Sequence, residues 1–576
     1  MQIKLVNPNF TDNYLKNLLY YRGVEDFDEY LNPNKDKLLE PELLDNIEAA
    51  KDLYFSALES GKPIALVVDS DCDGYTSSAI FAIYTHKIAP NTEIDFFLHT
   101  KKQHGLQDMW EDILAADKDY GLIVCPDSSS NDISYHSVLG NEKDYFTLVL
   151  DHHLLDEEIS PYAVIVNNQI SSKYTNKELT GAGVTWQFCR YIDKIKGTNY
   201  ADDLIDLAAL GVCGDMGSVL SMENRYLMKN GFENVKNKFF LALLDKQNYS
   251  MGGKINPTTV AFYIVPLINA MIRVGTQEEK ERMFLAFIDG DKLVPCNKRG
   301  AKGTMEKVAI ESTRECTNAK SRQNKILDTN LTKIEMRIHK QGLLENKILI
   351  VPLEDDDDFP SEINGLLAMK LSGKYKKPTI IVRENEVGYM RGSIRGVANS
   401  PLEDFKGFLE NSNLCEYVSG HAQAAGISFP EAKIGNLLNY ANTELKEVDF
   451  NDDCYEVNFS RMAADEDLKE LIMDLGQYPE VWGKDNPEDK ILVTDLNITP
   501  ADIQVIGARQ DTLKIEKFGV VYIKFFAKDL IKELQEAGDD IKLNIVGHSN
   551  INEWGGRLTP QLFIDACEVL DGTYGF

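Results

Sequence analysis

The strongest constraint on the fold is a row of short apolar runs, each closed by a polar residue. The first is Ile64-Ala65-Leu66-Val67-Val68, ended by Asp69, and others lie at 93–99, 122–127, 145–151 and 163–168. Such β-branched runs, without alternation, read as strands buried on both faces, which is how parallel sheets are built. Helix-like sequence separates several of them, as at 75–88, and strands alternating with helices specify a parallel α/β sheet. Helices expected at 180–195, 202–215 and 257–272 continue this lobe.

Farther along, residues 302–341 hold no proline and, after Gly303, no glycine, so a long exposed connecting helix is expected. A second α/β unit begins at Lys347: strand KILIVPL, helix 363–375, strand PTIIVRE, a glycine-punctuated turn RGSIRG, then SGHAQAAGISF. From about residue 449 short alternating strands (TLKIEKF, VYIKFF, IKLNIVGH) suggest a small β-barrel. Its aromatics Phe518, Tyr522, Phe525 and Phe526 suit a core as well as a stacking surface. The tetrad Asp355–Asp358 reads as a solvated loop. The expected division is an N-terminal helical arm (1–45), a first lobe (46–290), a basic connector helix (291–346), a second lobe (347–448) and the barrel domain (449–576).

The chain has 576 residues, 43% hydrophobic and 26% charged, which excludes general disorder. Nine cysteines without a C-x-x-C pair argue against a disulfide framework and a zinc ribbon, and so for a reduced, cytoplasmic setting. The apolar run at 260–272 is broken by Asn269 and is short for a bilayer, and Met1–Phe10 does not read as a leader, so no membrane association is expected. With 61 Lys+Arg against 91 Asp+Glu the net charge is −30, which by itself repels a polyanion. The basic residues are concentrated, however: 13 Lys/Arg face 7 Asp/Glu between 291 and 347, and seven face two between 370 and 395. A positive groove within an acidic protein is expected.

Acids gather where open α/β sheets bind ligands, at the strand ends. Asp69-Ser70-Asp71-Cys72-Asp73-Gly74 closes the first run, Asp127 the third and Asp151-His152-His153 the fourth, while Asp215 sits in GVCGDMGSV. Carboxylates placed together repel unless cations neutralise them. A calcium loop of the EF-hand kind fails, because Ile80 stands where its bidentate Glu is required. A mixed carboxylate and imidazole set suits two divalent ions, Mn²⁺ or a similar first-row ion ahead of Ca²⁺ or an all-oxygen Mg²⁺ site, with Mg²⁺ as the alternative, and such a pair can activate water at a phosphoryl centre.

These motifs, in this order, resemble the DHH phosphoesterase superfamily. LTGAGVTWQF, DLAALGVCGDMGSVLSMENRYLMKNGF, PLINAMIRVG, GSIRG, SGHAQAAG and WGKDNPED narrow the resemblance to its RecJ branch of single-strand-specific 5′→3′ DNA exonucleases, over roughly residues 60–570 and in a version that looks like a phage or prophage one. The resemblance implies two α/β lobes, DHH and DHHA1-like, joined by the long helix with a groove between them, plus an OB-like barrel. It further implies that Asp71 and Asp73 each hold a metal, that Asp127 bridges them, and that His152 and Asp215 complete the second site with Asp69 and Asp151 in support. His153 would meet the scissile phosphate or protonate the leaving oxygen, Arg273 would stabilise the phosphate, Ser393 and Arg395 would grip a terminal 5′-phosphate, and His421 would touch substrate. The implied partner is single-stranded DNA with a 5′-phosphate, alongside a single-strand-binding protein or a helicase, the chain itself being a monomer. A DHH phosphodiesterase for short or cyclic oligonucleotides and a non-catalytic scaffold are the alternatives. The departures are Ser128-Ser129 after Asp127, Met271-Ile272 before Arg273, Phe359-Pro360-Ser361-Glu362 in place of Trp-His-x-Gly, and Lys101 or Lys102 near His99 where the family has an arginine.

Overall fold

A computed structural model of the chain describes residues 2–6, 12–101, 103–155, 159–301, 303–354, 357, 359–385, 387–451 and 453–570. They divide into two compact units, one of residues 28–325 and 480–486, the other of residues 1–27, 326–479 and 487–576.

In the first unit all five expected runs are strands. β1 (Ile64–Val68), β2 (Ile94–Leu98), β3 (Leu122–Pro126), β4 (Thr147–Asp151) and β5 (Ala163–Asn167) form a parallel sheet in the order β2-β1-β3-β4-β5. Successive residues of a strand face opposite ways. Leu66, Val68, Val124 and Leu150 therefore pack with Ala79, Val184 and Trp186 on one side, and Ala65, Val67, Ile123 and Val149 with Met109, Ile113 and Leu139 on the other. Both faces of β1, β3 and β4 are covered, which is why those runs are so apolar, whereas the edge strand β2 carries Asp95 and leaves Phe96 exposed. The chain leaves β1 towards β2 on one flank and β3 on the other, and such a switch point opens a crevice at the carboxyl ends. Helix α1 (Cys72–Ile88) starts there, capped by Asp71, whose carboxylate accepts the Gly74 N–H at 3.0 Å. Helices α2 (Gly181–Lys196) and α3 (Ile205–Gly214) pack against α1.

The helical stretch from Pro257 has a cause for its irregularity. Pro266 has no N–H to give the Phe262 carbonyl, and its ring crowds that carbonyl. The turn Val260–Ile264 widens into a π-helix before regular helix resumes as α4 (Val265–Val274). Pro257–Val274 is long and apolar enough by composition to span a bilayer, a longer run than the sequence suggested, and half of it is buried inside the protein. The expected long helix is α5 (Val308–Lys340), 33 residues long, but it is not exposed throughout: Val308, Ala309, Cys316 and Ala319 are buried in the core of the first unit. The residues just before it form a strand, Met305–Lys307, paired with Leu293–Pro295.

In the second unit β6 (Leu349–Pro352), helix α6 (Asn364–Tyr375), β7 (Thr379–Glu384), β8 (Tyr389–Arg395), β9 (Tyr417–His421) and β10 (Ala424–Pro430) build a mixed sheet of order β9-β10-β8-β7-β6. RGSIRG is not the expected turn: most of it is β8. A Cβ on Gly392 would stand 1.8 Å from the Ile381 carbonyl oxygen, so the glycine serves a close approach of strands. The acidic tetrad is also corrected at Asp357, which is buried and ion-paired to Lys333 at 3.0 Å and Arg337 at 2.8 Å; residues 355, 356 and 358 lie outside the described residues.

The C-terminal strands β11 (Phe459–Met462), β12 (Ile491–Ile498), β13 (Ile503–Ile506), β14 (Thr512–Lys517), β15 (Val520–Lys524), β16 (Ile541–Trp554) and β17 (Arg557–Leu570) form a seven-stranded mixed sheet, ordered β11-β12-β16-β17-β15-β14-β13. Among the described residues its edges, β11 and β13, do not pair, so the ladder does not close into a barrel. Alternation in the sequence sets which face a residue takes, not which strands meet. Tyr522 is core, whereas Phe518, Phe525 and Phe526 are exposed. The N-terminal residues are not helical throughout: Gln2–Leu5 pairs in parallel with Cys454–Val457, and helices Tyr14–Tyr21 and Phe27–Leu31 follow.

Candidate metal centre

β1, β3 and β4 end side by side, and each delivers an acid to the crevice. Asp69 and Asp71 follow β1, Asp73 lies in the first turn of α1, Asp127 follows β3, Asp151 ends β4 ahead of His152 and His153, and Asp215 caps α3. Ligand-type atoms of Asp69, Asp71 and Asp127 lie within 4.8 Å of one another, as do those of Asp73, His152 and Asp215, and those of Asp127, Asp151, His152 and His153. His152 Nε2 is 3.2 Å from Asp127 Oδ1 and 3.5 Å from Asp215 Oδ2. Asp127 adopts a left-handed backbone, φ 63°. A Cβ on Gly181 would stand 2.4 Å from the Asp127 Cβ, which explains the glycine opening α2.

Hydrogen bonding sorts these residues. Asp151 is fully engaged: Oδ1 accepts from the His152 N–H at 2.7 Å and His153 Nδ1 at 2.8 Å, and Oδ2 from the Ser130 N–H at 3.2 Å. Asp69 is too, accepting from His104 Nδ1 at 2.8 Å and the Gly105 N–H at 2.9 Å. Asp73 Oδ1 accepts from Thr180 Oγ1 and the Ala182 N–H, both at 3.0 Å. Among the described residues three buried atoms of this cluster have no hydrogen bond: Asp73 Oδ2, Asp127 Oδ1 and His152 Nε2, the last two facing each other at 3.2 Å. Leaving such groups unpaired is costly. Their convergence, as carboxylate oxygens and an imidazole nitrogen, fits divalent first-row cations.

Protonation follows the crowding. Burial, reinforced by neighbouring carboxylates, pushes Asp73 and Asp127 above the usual carboxylate range. Desolvation and the charges of Asp73 and Asp71 push Asp215 up to about 8. Burial draws His152 down. For the His153–Asp151 pair burial opposes both charges, yet the hydrogen bond between them wins, holding Asp151 below its ordinary value and pushing His153 up to about 9.

Arg273, half-buried near the end of α4, has no hydrogen bond or ion pair among the described residues, and burial lowers its pKa against the supporting charge of Asp71. Lys101 is exposed, and Lys102 lies outside the described residues. The residue that sequence reasoning missed is their neighbour His104, whose imidazole meets Asp69. His99 is buried beside it, Nε2 4.0 Å from Asp69 Oδ1. The available signal was Gly105, whose φ of 59° turns the loop back onto Asp69.

In the other unit the sheet brings Ser393, Arg395 and His421 onto one face. Arg395 and His421 both pair with Ala424, and Ser393 lies two residues before Arg395. The Arg395 guanidinium lies against the first turn of α6, where a Cβ on Gly365 would stand 2.4 Å from it.

A parallel sheet in this order, with acids and imidazoles collected at its switch point, is the fold of the DHH class: the model of the DHH family N-terminal domain matches residues 63–212, and that of the RecJ OB domain matches residues 461–566. YorK of Bacillus subtilis (strain 168), provisionally named an SPbeta prophage-derived single-strand DNA-specific exonuclease, is 34% identical over 99% of this chain and 98% of its own. The single-stranded-DNA-specific exonuclease RecJ of the same organism is 24% identical, over 96% of this chain and 67% of its own. RecJ of Thermus thermophilus, solved with Mn²⁺, superposes with a TM-score of 0.72 at 19% identity, covering 98% of this chain and 79% of that one, and it has also been solved with Mg²⁺. The chain belongs to the RecJ branch of the DHH family.

Proposed function

We propose that this protein is a metal-dependent exonuclease that hydrolyses single-stranded DNA from a 5′-phosphorylated end and releases 5′-mononucleotides. The observation that carries the reading is the convergence of Asp73 Oδ2, Asp127 Oδ1 and His152 Nε2, buried and without hydrogen bonds among the described residues. In this reading Asp71, Asp73, Asp127, His152 and Asp215 would hold two divalent ions, Asp127 being shared by two of the ligand groups, with Asp69 and Asp151 as supports. When bound, such ions polarise a phosphoryl oxygen and lower the pKa of water.

The remaining steps belong to side chains. His153, kept protonated by Asp151, binds a phosphate oxygen and gives its proton to the leaving 3′-oxygen. Arg273, unpaired among the described residues, offers its guanidinium to the same phosphate. Ser393 and Arg395, beside the N-terminal turn of α6, grip the terminal 5′-phosphate and set direction, and His421 touches the strand. Retention of every expected ligand favours an enzyme over a scaffold. The five-part division (1–45, 46–290, 291–346, 347–448 and 449–576), a monomeric cytoplasmic chain and work beside a single-strand-binding protein or helicase in DNA recombination, repair or replication complete the proposal.

The test is Mn²⁺-dependent degradation of a long single strand labelled at either end, beside its duplex and an RNA copy. Immediate release of a 5′-labelled mononucleotide, with the 3′ label shortening progressively and the duplex intact, is expected. Cleavage of dinucleotides alone would move the protein to the short-substrate phosphodiesterases, and inertness with metal bound would make it a scaffold.

A further inference from the structure

We infer that an apolar pocket beside Asp215 seats a nucleobase of the single strand, an inference that rests on the exonuclease reading of the acid cluster. The pocket encloses about 270 Å³ and is walled by Cys213, Met216, Val219, Thr258, Phe262 and Lys484 among others. That is below the roughly 300–1,000 Å³ of sites for drug-sized ligands, a size for a single heterocycle. Cys213 and Met216 flank Asp215 closely in the chain, so the wall begins one residue from a carboxylate of the metal cluster. Met216 has a left-handed backbone, φ 59°, and is 54% exposed.

Phe262 is 70% exposed although Val260 and Ile264, on either side of it, are buried. It stands in the π-turn imposed by Pro266, and such turns cluster at functional sites. A phenylalanine left in solvent, edge-on to Tyr263 at 4.9 Å, is a stacking surface. The polar groups lining the pocket are already committed: Thr258 Oγ1 donates to the Trp482 carbonyl at 3.4 Å, Cys213 Sγ to the Pro257 carbonyl at 3.3 Å, and Lys484 Nζ to Asp485. Beyond these bonds Lys484 keeps further N–H donors and Thr258 Oγ1 its lone pairs, but most of the wall is apolar, and an aromatic ring and a thioether are available for the face of a base. Stacking of that kind accepts all four bases, as an enzyme that removes nucleotides one after another requires.

The experiment compares wild type with Phe262→Ala and Phe262→Trp in Mn²⁺. The substrates are 5′-phosphorylated oligonucleotides, either natural or abasic (tetrahydrofuran) at one of the first three nucleotides. Phe262→Ala is expected to raise KM about ten-fold on the natural strand with kcat unchanged. It should coincide with wild type on the strand abasic at the seated position, and Phe262→Trp should restore KM. Because Phe262 is exposed, the variants should melt with wild type. Equal KM for wild type and Phe262→Ala on natural strands, or an equal loss on natural and abasic strands, would overturn the inference. A second readout needs no cleavage: metal-free protein should quench 2-aminopurine at the seated position, and Phe262→Ala should not. Quenching without Mn²⁺-dependent cleavage would retain the pocket and remove the exonuclease reading. Cleavage without quenching at any of the three positions would remove the pocket alone, and absence of strand binding would remove both.

Discussion

Asp127→Asn should stabilise the metal-free protein while abolishing its response to Mn²⁺ and its nuclease activity. Asp127 is buried, and ligand-type oxygens of Asp69 and Asp71 lie within 4.8 Å of its own; at an effective dielectric near 20, each ionised pair repels by about 3.5 kcal/mol at that distance. Proton uptake limits this cost, as the raised pKa values of Asp73 and Asp127 show. We take about 1–2 kcal/mol as the relief on removing the charge, and a Tm rise of about 2–4 °C without metal. Asparagine is the right substitution because it tolerates the left-handed backbone at φ 63°, whereas alanine would add about 1–2 kcal/mol of strain. Its amide can also donate to neighbouring carboxylates. With Mn²⁺ at a hundred times its Kd, wild type should gain about 2.7 kcal/mol and the variant nothing. Scanning calorimetry of both proteins in EDTA and in Mn²⁺, beside the end-labelled strand assay, reads all three effects. A variant that melts lower than wild type in EDTA, or that keeps its Mn²⁺ shift and most of its cleavage, would refute the reasoning.

The pH dependence of the metal-free protein should run the same way. Asp215 holds its proton up to about 8 against an ordinary value of 3.8, and His153 up to about 9 against 6.5. Folded protein therefore binds more protons than unfolded chain, so stability should fall as pH rises from 6.5 to 9 in EDTA. Asp151, held low, gives stability that is complete above its unfolded value and is lost only in acid. Melting curves across that range check this, and Mn²⁺ should flatten the slope. Arg395→Ala should cut the preference for 5′-phosphorylated over 5′-hydroxyl strands about ten-fold, through loss of charge-assisted hydrogen bonds, with little change in turnover at saturation. An unchanged ratio would remove its direction-setting role. Asp357→Ala should cost about 1.5–3 kcal/mol in urea unfolding, because it removes the buried carboxylate shared by Arg337 and Lys333 and leaves Arg337, among the described residues, only the more exposed Glu354 as counter-charge.

Asp69, Asp127 and Asp151 were legible in the sequence because a covalent rule places them: a polar residue that closes a buried parallel strand must emerge at the carboxyl edge, whereas Asp73 and Asp215 arrive on helices. Their division of labour was not, since it depends on bonds from distant segments. Asp73 is steadied by Thr180 and Ala182, more than a hundred residues away, and Asp69 by His104 on the loop after β2. Asp357 was misread for a related reason. An acid in a run of acids looks solvated until Lys333 and Arg337, four residues apart and so one turn of α5, reach it on the same helix face. Composition reports how many charges a segment carries, and only the fold assigns their partners. The same argument separates Arg273 from several other arginines. Arg337, Arg322, Arg314 and Arg282 all have carboxylate partners within the protein, whereas Arg273, beside the metal cluster, has none among the described residues. Among the described residues buried Arg225 also lacks a carboxylate, but it donates to the Tyr30 and Glu480 carbonyl oxygens, whereas half-buried Arg273 does neither, and the proposed phosphate role rests on that difference.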